Sequence, residues 1–238
     1  MALPTIEHPT YELTLRSNNQ TVKYRPFLVK EEKIILLALE DGTYAAMLNA
    51  VKSICKACTN NQIDIDTLPL FDLEYLFLNI RAKSVGEISK IRVLCPDDKT
   101  TYANVEVDLT KVDILVDENH EKDILIDKNK NLGIMMKYIT MPDVMTIDNL
   151  EATTSKELFD IIARGIDYVY EGDRIYKSSD YTPEEMKDFL ENLTTDTLAR
   201  IKTFYDTSPK LKHTVEVENP NTKVKSEITL QGLYDFFE

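Results

Sequence analysis

Apolar residues recur at three- and four-residue spacings in several stretches of the chain, a pattern that predicts amphipathic helices. The densest apolar block is LPLFDLEYLFLNIRAKSVG, residues 68–86. Pro69 suits the first turn of a helix and Gly86 suits its end, so we expect one helix over this block. It is the element around which we expect the remainder of the chain to pack.

This helix has two apolar faces when its residues are placed at about 100° per residue. The first stripe comprises Leu70, Leu73, Phe77 and Ile80, and the second comprises Phe71, Tyr75, Leu78, Ala82 and Val85. A helix of this kind must be covered on both sides, either within its own domain or between the domain and a partner. We therefore take Phe71, Tyr75 and Leu78 as candidate partner contacts, together with Phe236 and Phe237 in the apolar end LQGLYDFF.

The remaining elements follow from changes in the apolar period. Before the central block, the pattern predicts a hairpin over 11–27, a helix from about 30 to 41 and a helix from 43. After it, alternation predicts a hairpin over 91–109 and short strands at 112–116, 123–127 and 134–139. Beyond Pro142 we expect a helix from Thr154 or Ser155 to Gly172, helices at MKDFLENL and LARIKTFY, and a last hairpin from 211.

These elements predict an α+β protein: an N-terminal β-hairpin with helices, a central antiparallel β region, and C-terminal helices with a final β-hairpin. We place a domain boundary at Pro142, giving regions 1–141 and 142–238, with a single continuous domain as the alternative.

Composition excludes several classes of function. The chain of 238 residues has a net charge of −13, which opposes binding to nucleic acid or to an anionic membrane. No apolar run approaches the ~20 residues of a membrane span, and no signal-peptide pattern is present. Three cysteines are too few for a disulfide framework, so we expect a cytosolic, reducing compartment.

Candidate catalytic and redox residues are few. Cys55-x-x-Cys58 has the spacing of a redox or metal pair, but both thiols fall on the apolar stripe of a predicted helix, which favours core packing. His8, His120 and His213 share no spacing typical of ligands or of a general base. The six glycines never form a phosphate-binding loop.

Carboxylates are so abundant that pairs such as Glu184 and Glu185, or Asp64 and Asp66, are expected by chance on solvated faces. The acidic stretch 117–131 lacks the spacing of a calcium loop. We predict no catalytic residue, no cofactor and no metal site.

Two turns resemble each other, CPDDKT at 95–100 and NPNTKV at 219–224, each between two strands. A pair of such turns can hold zinc when cysteines occupy all four corners. Here only Cys95 does, and Asp98, Asn219 and Thr222 occupy the others, so we expect no metal there.

The block LPLFDLEYLFLNIRAKSVGEI, with ALPTIEHPTYEL and KYRPFLVKEEKI, resembles the small baseplate hub protein of T4-like contractile-tailed bacteriophages. The resemblance is specific in the N-terminal half and looser beyond it, through the last hairpin and LQGLYDFF. It implies a non-enzymatic structural component of the tail baseplate hub, made in the host bacterial cytoplasm and carried in the virion. Its expected partners are other hub and tail proteins. Whether several copies form a symmetric assembly stays open.

Two other functions stay open at this point. The chain could be an assembly chaperone of the hub that is absent from the finished virion. The third hypothesis, which the sequence favours least, is a cell-wall hydrolase.

Overall fold

The structure, a computed structural model, describes residues 6–146 and 155–236. Its helices are α1 (Val29–Asp41), α2 (Tyr44–Cys58), α3 (Leu70–Val85), α4 (Met141–Val144), α5 (Ser155–Arg164), α6 (Pro183–Glu191) and α7 (Thr195–Thr207). Its strands are β1 (Tyr11–Thr14), β2 (Thr21–Tyr24), β3 (Ile88–Leu94), β4 (Tyr102–Asp108), β5 (Asp113–Leu115), β6 (Asp123–Asp127), β7 (Leu132–Met136), β8 (Ile166–Glu171), β9 (Arg174–Lys177), β10 (Lys210–Glu218) and β11 (Lys225–Gln231). The predicted α+β class is confirmed.

The chain divides into two compact units, one formed by 1–115 with 210–238 and the other by 116–209. The division predicted at Pro142 falls inside the second unit. The C-terminal hairpin belongs with the N-terminal half because β10 pairs with β5, with Leu211 opposite Ile114. Such a long-range pairing leaves no mark in the local sequence.

In the first unit the helix boundaries follow local signals. Gly42 ends α1 in the left-handed conformation, at a φ of 71°. The Thr43 hydroxyl then accepts the N–H of Ala46 at 3.2 Å and begins α2. The hairpins β1–β2 and β3–β4 and the final hairpin β10–β11 also form as predicted.

Helix α3 packs against α2 and against the strands β5 and β10. Leu73 and Ile80 of its first stripe are fully buried, as is Leu78 of the second. Its own unit therefore covers most of both apolar faces, and Val85 at the end of the second stripe is 64% exposed. Buried Asp72 completes the packing, because its carboxylate accepts the N–H groups of Arg16 at 2.8 Å and Ser17 at 3.1 Å.

The second unit has an antiparallel sheet in the order β6-β7-β8-β9. Helix α5 packs on β8 and α6, and α7 packs on β6. The core between them includes Ile134, Met136, Ile162, Ile201 and Phe204. A capping box at Thr182 begins α6, since the Glu185 carboxylate accepts the Thr182 N–H at 2.8 Å.

The helix predicted from 154 or 155 to Gly172 was wrong in its second half. Helix α5 ends at Arg164, and residues 166–171 form β8 instead. The aromatic, alternating IDYVY favours a strand. Gly172, at a φ of 58°, forms the turn of the β8–β9 hairpin rather than a helix end.

Candidate partner-binding surface

The structure places three of the five predicted partner residues in the interior of the first unit. Phe71 is 7% exposed, and Leu78 and Phe236 are fully buried. Their surfaces are already covered by the chain itself, so as partner contacts these three are corrected to core residues. Phe237 lies outside the described residues.

Tyr75, the fifth candidate, is partly buried. The guanidinium carbon of Arg16 lies 5.7 Å from the centre of its ring, a cation–π distance. Arg16 is itself held by Asp113, whose carboxylate accepts from Nη2 at 2.7 Å. An intramolecular contact thus occupies one face of the Tyr75 ring.

The cysteines are free and buried, as the apolar stripe predicted for Cys55 and Cys58. Burial raises the pKa of the Cys55 thiol well above its ordinary value. Burial also raises the pKa of Cys58 to about 11, although the nearby Arg25 opposes the change. Neither thiol is activated as a nucleophile at neutral pH.

His120 packs in an aromatic cluster of the second unit rather than at an open site. Its ring stacks on Tyr138 with 5.6 Å between centroids and lies 5.1 Å from Phe204. Its Nδ1 is 3.0 Å from the Thr207 hydroxyl, and burial lowers its pKa. The residue serves packing. His8 is exposed in the N-terminal segment of the first unit.

The carboxylate pairs considered as acids and bases serve the backbone. Glu185 caps α6, and Asp64 accepts the N–H of Asp66 at 3.1 Å. Within 117–131, Asp117 and Asp127 each accept an N–H two residues ahead, which makes two separate turns. Among the described residues, no three His, Cys, Asp or Glu side chains are grouped to hold a metal ion.

The two similar turns meet in the first unit. The Asp97 carboxylate accepts the Asn219 amide at 2.9 Å and the Thr222 hydroxyl at 2.5 Å. Asn221 donates to the Thr101 hydroxyl at 3.0 Å. Hydrogen bonds therefore join the turns at the place where a zinc-binding pair would hold its metal.

An exposed apolar surface lies on α1, for which the sequence pattern predicts a helix but no exposed apolar face. Val29 is 80% exposed, Leu36 55% and Leu39 53%, while Glu31 and Ala38 on the opposite side are buried. The sequence does contain a signal for this surface, because KEEKIILLALE has more apolar residues than one face of a helix can hold.

A pocket of about 240 Å³ adjoins this surface, and Leu39 contributes to its wall. Leucines and a valine of α2 and α3 line it, together with Tyr44 and the turn at 231–233. Glu74 is the charged residue of the lining, and its Oε1 accepts the Leu233 N–H at 3.2 Å. Burial raises the pKa of Glu74 to about 7, and the carboxylate of Asp235 adds to this effect.

No helix in the described parts of the chain has the length and apolar character needed to cross a bilayer.

Comparison with known proteins identifies a family model that matches the chain. The model of the family described as "T4 bacteriophage base plate protein" matches residues 8–238. The searches of curated proteins and of solved structures found no match. Because the family model spans nearly all of the sequence, the chain belongs to the T4 bacteriophage base plate protein family.

Proposed function

We propose that this protein is a non-enzymatic structural component of the baseplate hub, made in the host bacterial cytoplasm and built into the virion through contacts with other hub and tail proteins. Family membership gives the coarser part of this function, a structural role in a phage tail baseplate. The observation that supports the finer part is the exposed apolar surface of α1 beside the Glu74 pocket. Apolar surface of this kind is typical of protein–protein contacts.

The candidate catalytic groups Cys55, Cys58 and Glu185 have structural roles. The thiols of Cys55 and Cys58 are buried with raised pKa values, and Glu185 caps a helix. This arrangement supports a role in binding rather than in chemical conversion.

Mass spectrometry of purified virions tests the proposal. A structural subunit of the hub is expected in constant stoichiometry with the other hub proteins in every preparation. An assembly chaperone would be present in infected cells and absent from purified particles, and that result would contradict the proposal.

A peptidoglycan-release assay with the purified chain tests the non-enzymatic part. We expect no release above background at micromolar concentrations. Release that grows with protein concentration would identify a cell-wall hydrolase instead.

A further inference from the structure

The exposed face of α1 has the spacing of a helix–helix contact. Val29, Glu32, Leu36 and Leu39 are separated by three, four and three positions, so they lie on one side of the helix. The opposite side anchors α1, because buried Glu31 accepts from Arg25 Nη2 at 2.9 Å and from the Leu28 N–H at 2.8 Å. The face with Leu36 therefore stays in solvent when α1 is packed on its own unit.

The pocket extends this face at its C-terminal end. Leu39 belongs to both, and the walls contributed by Met47, Leu70 and their neighbours are apolar. Within the described residues Glu74 forms no ion pair, and its hydrogen bond is with the Leu233 backbone. The site thus combines apolar walls, which suit a methylene chain, with the acid Glu74, whose ionised form a cationic head group would stabilise.

Charge indicates what kind of partner fits. The last turn of α1 contains no basic residue, and Glu40 and Asp41 stand there beside carbonyls that already favour a cation. Lys30 and Lys33 lie toward the other end of the helix. A second copy of this chain, at a net charge of −13, would bring like charge to the same place.

We propose that the α1 face formed by Val29, Glu32, Leu36 and Leu39, together with the adjoining pocket, binds a basic amphipathic helix of another baseplate protein, with a Lys or Arg side chain entering the pocket toward Glu74. This inference rests on the proposed function, because it names the chemistry of a partner within the baseplate. The contact is a helix-in-groove mode, in which apolar anchors supply affinity and the charges select the partner.

Two synthetic helical peptides of about four turns test this inference against the full-length chain by isothermal titration calorimetry. Both carry the same leucines at three- and four-residue spacing, and the remaining positions are Lys and Gln in one and Glu and Gln in the other. We expect the Lys peptide to bind at least about tenfold more tightly than the Glu peptide. Equal binding of the two peptides would overturn the inference.

Three variants make the titration specific. Leu36→Asp should lower the affinity for the Lys peptide by about tenfold or more. Non-specific charge attraction predicts the opposite, because the variant adds a negative charge. Glu74→Gln should lower the affinity for the Lys peptide and leave the affinity for the Glu peptide unchanged. Ile175→Asp, a change at a 60% exposed residue of the other unit, is the matched control and should have no effect.

Unchanged binding in Leu36→Asp would place the peptide elsewhere and overturn the inference. Analytical ultracentrifugation tests for a dimer. A wild-type dimer that dissociates in Leu36→Asp would assign the face to a second copy and would also overturn the inference. Thermal unfolding of each variant confirms that it is folded. The peptide titrations use the purified chain, and a negative result there contradicts this inference alone. Absence of the protein from purified virions would contradict the proposed function, so the two failures can be told apart.

Discussion

Glu74 belongs to neither apolar stripe of α3, yet its carboxyl group lines an apolar pocket, and the charge of Asp235 raises its pKa further. Local sequence shows neither neighbour, because the turn at 231–233 comes from the other end of the chain. An acid whose pKa rises on folding opposes the folded state once it is ionised. At the residue scale, Glu74 should therefore make the folded chain less stable as the pH rises.

Between pH 4.5, the ordinary pKa of a glutamate, and about 7, the pKa of Glu74, the stability of the folded chain should fall as the pH rises. The folded state binds the proton more tightly than the unfolded chain over this interval. Glu74→Gln should remove this contribution and raise the free energy of unfolding at pH 8 by about 2 kcal/mol, allowing for partial exposure. Urea unfolding at several pH values measures the difference.

Glu185→Gln is the matched control for that experiment. Hydrogen bonds from the backbone and hydroxyl of Thr182 lower the pKa of Glu185, so its contribution is present at neutral pH and is lost as the pH falls. A Glu74→Gln variant with the same pH dependence as the wild type would contradict the prediction.

Asn219 is 1% exposed and joins the two similar turns through Asp97. Asn219→Ala should lower the free energy of unfolding by about 1–2 kcal/mol, because it removes a charge-assisted hydrogen bond and the acceptor for two backbone N–H groups. Chemical denaturation measures the loss. The pKa of Asp97, followed by NMR, should rise at the same time, since hydrogen bonds from Asn219 and Thr222 hold it low.

Asn221→Ala is the comparison for Asn219, since Asn221 is exposed and its side chain donates to Thr101 alone. Its effect should be clearly smaller. Equal losses in the two variants would show that the turns are not linked through Asp97.

At the element scale, the junction between α5 and β8 depends on close approach of two elements. Gly165 ends α5, and a Cβ placed on it would lie 1.9 Å from the hydroxyl oxygen of Tyr205 on α7. That hydroxyl donates to the carbonyl of Ile161 at 3.3 Å. Position 165 requires a glycine because the ring and hydroxyl of Tyr205 occupy the space that a side chain would need.

Gly165→Ala should destabilise the second unit by about 1–3 kcal/mol, the usual cost of forcing an extra methyl group into a packed site. Tyr205→Phe removes the nearest atom, so the double variant should recover part of the loss. Thermal unfolding of the two single variants and the double variant measures this coupling. Additive effects of the two changes would contradict the proposed contact.

At the scale of the whole molecule, the second unit is an insertion within the first. Leu115 at the end of β5 lies directly opposite Lys210 at the start of β10. The two chain ends left by removing 116–209 are therefore neighbours in one antiparallel pair.

A variant in which an Asn-Gly turn replaces residues 116–209 should fold, because a two-residue hairpin loop can join strands paired at these positions. We expect cooperative thermal unfolding and dispersed NMR signals. The same variant with Leu211→Asp, a change at a fully buried position of β10, should fail to fold and serves as the control. Aggregation of the parent variant would contradict the independence of the first unit.

The sequence by itself determined the local elements whose signals are short-range. The caps at Gly42, Thr43 and Thr182, the helix α3 with two apolar faces and the hairpins β1–β2, β3–β4 and β10–β11 all follow from residues within a few positions of one another. It also determined that Cys55 and Cys58 are buried, because their spacing places them on an apolar stripe.

Tertiary structure alone decided which apolar residues are covered. Phe71 and Leu78 were indistinguishable in sequence from partner contacts, and the pairing of β10 with β5 helps enclose the helix that carries them. Leu36 and Leu39 gave the same apolar signal, yet they remain exposed on α1. Burial depends on contacts between residues far apart in the chain, and hydrophobic spacing specifies a face of a helix but not what that face meets.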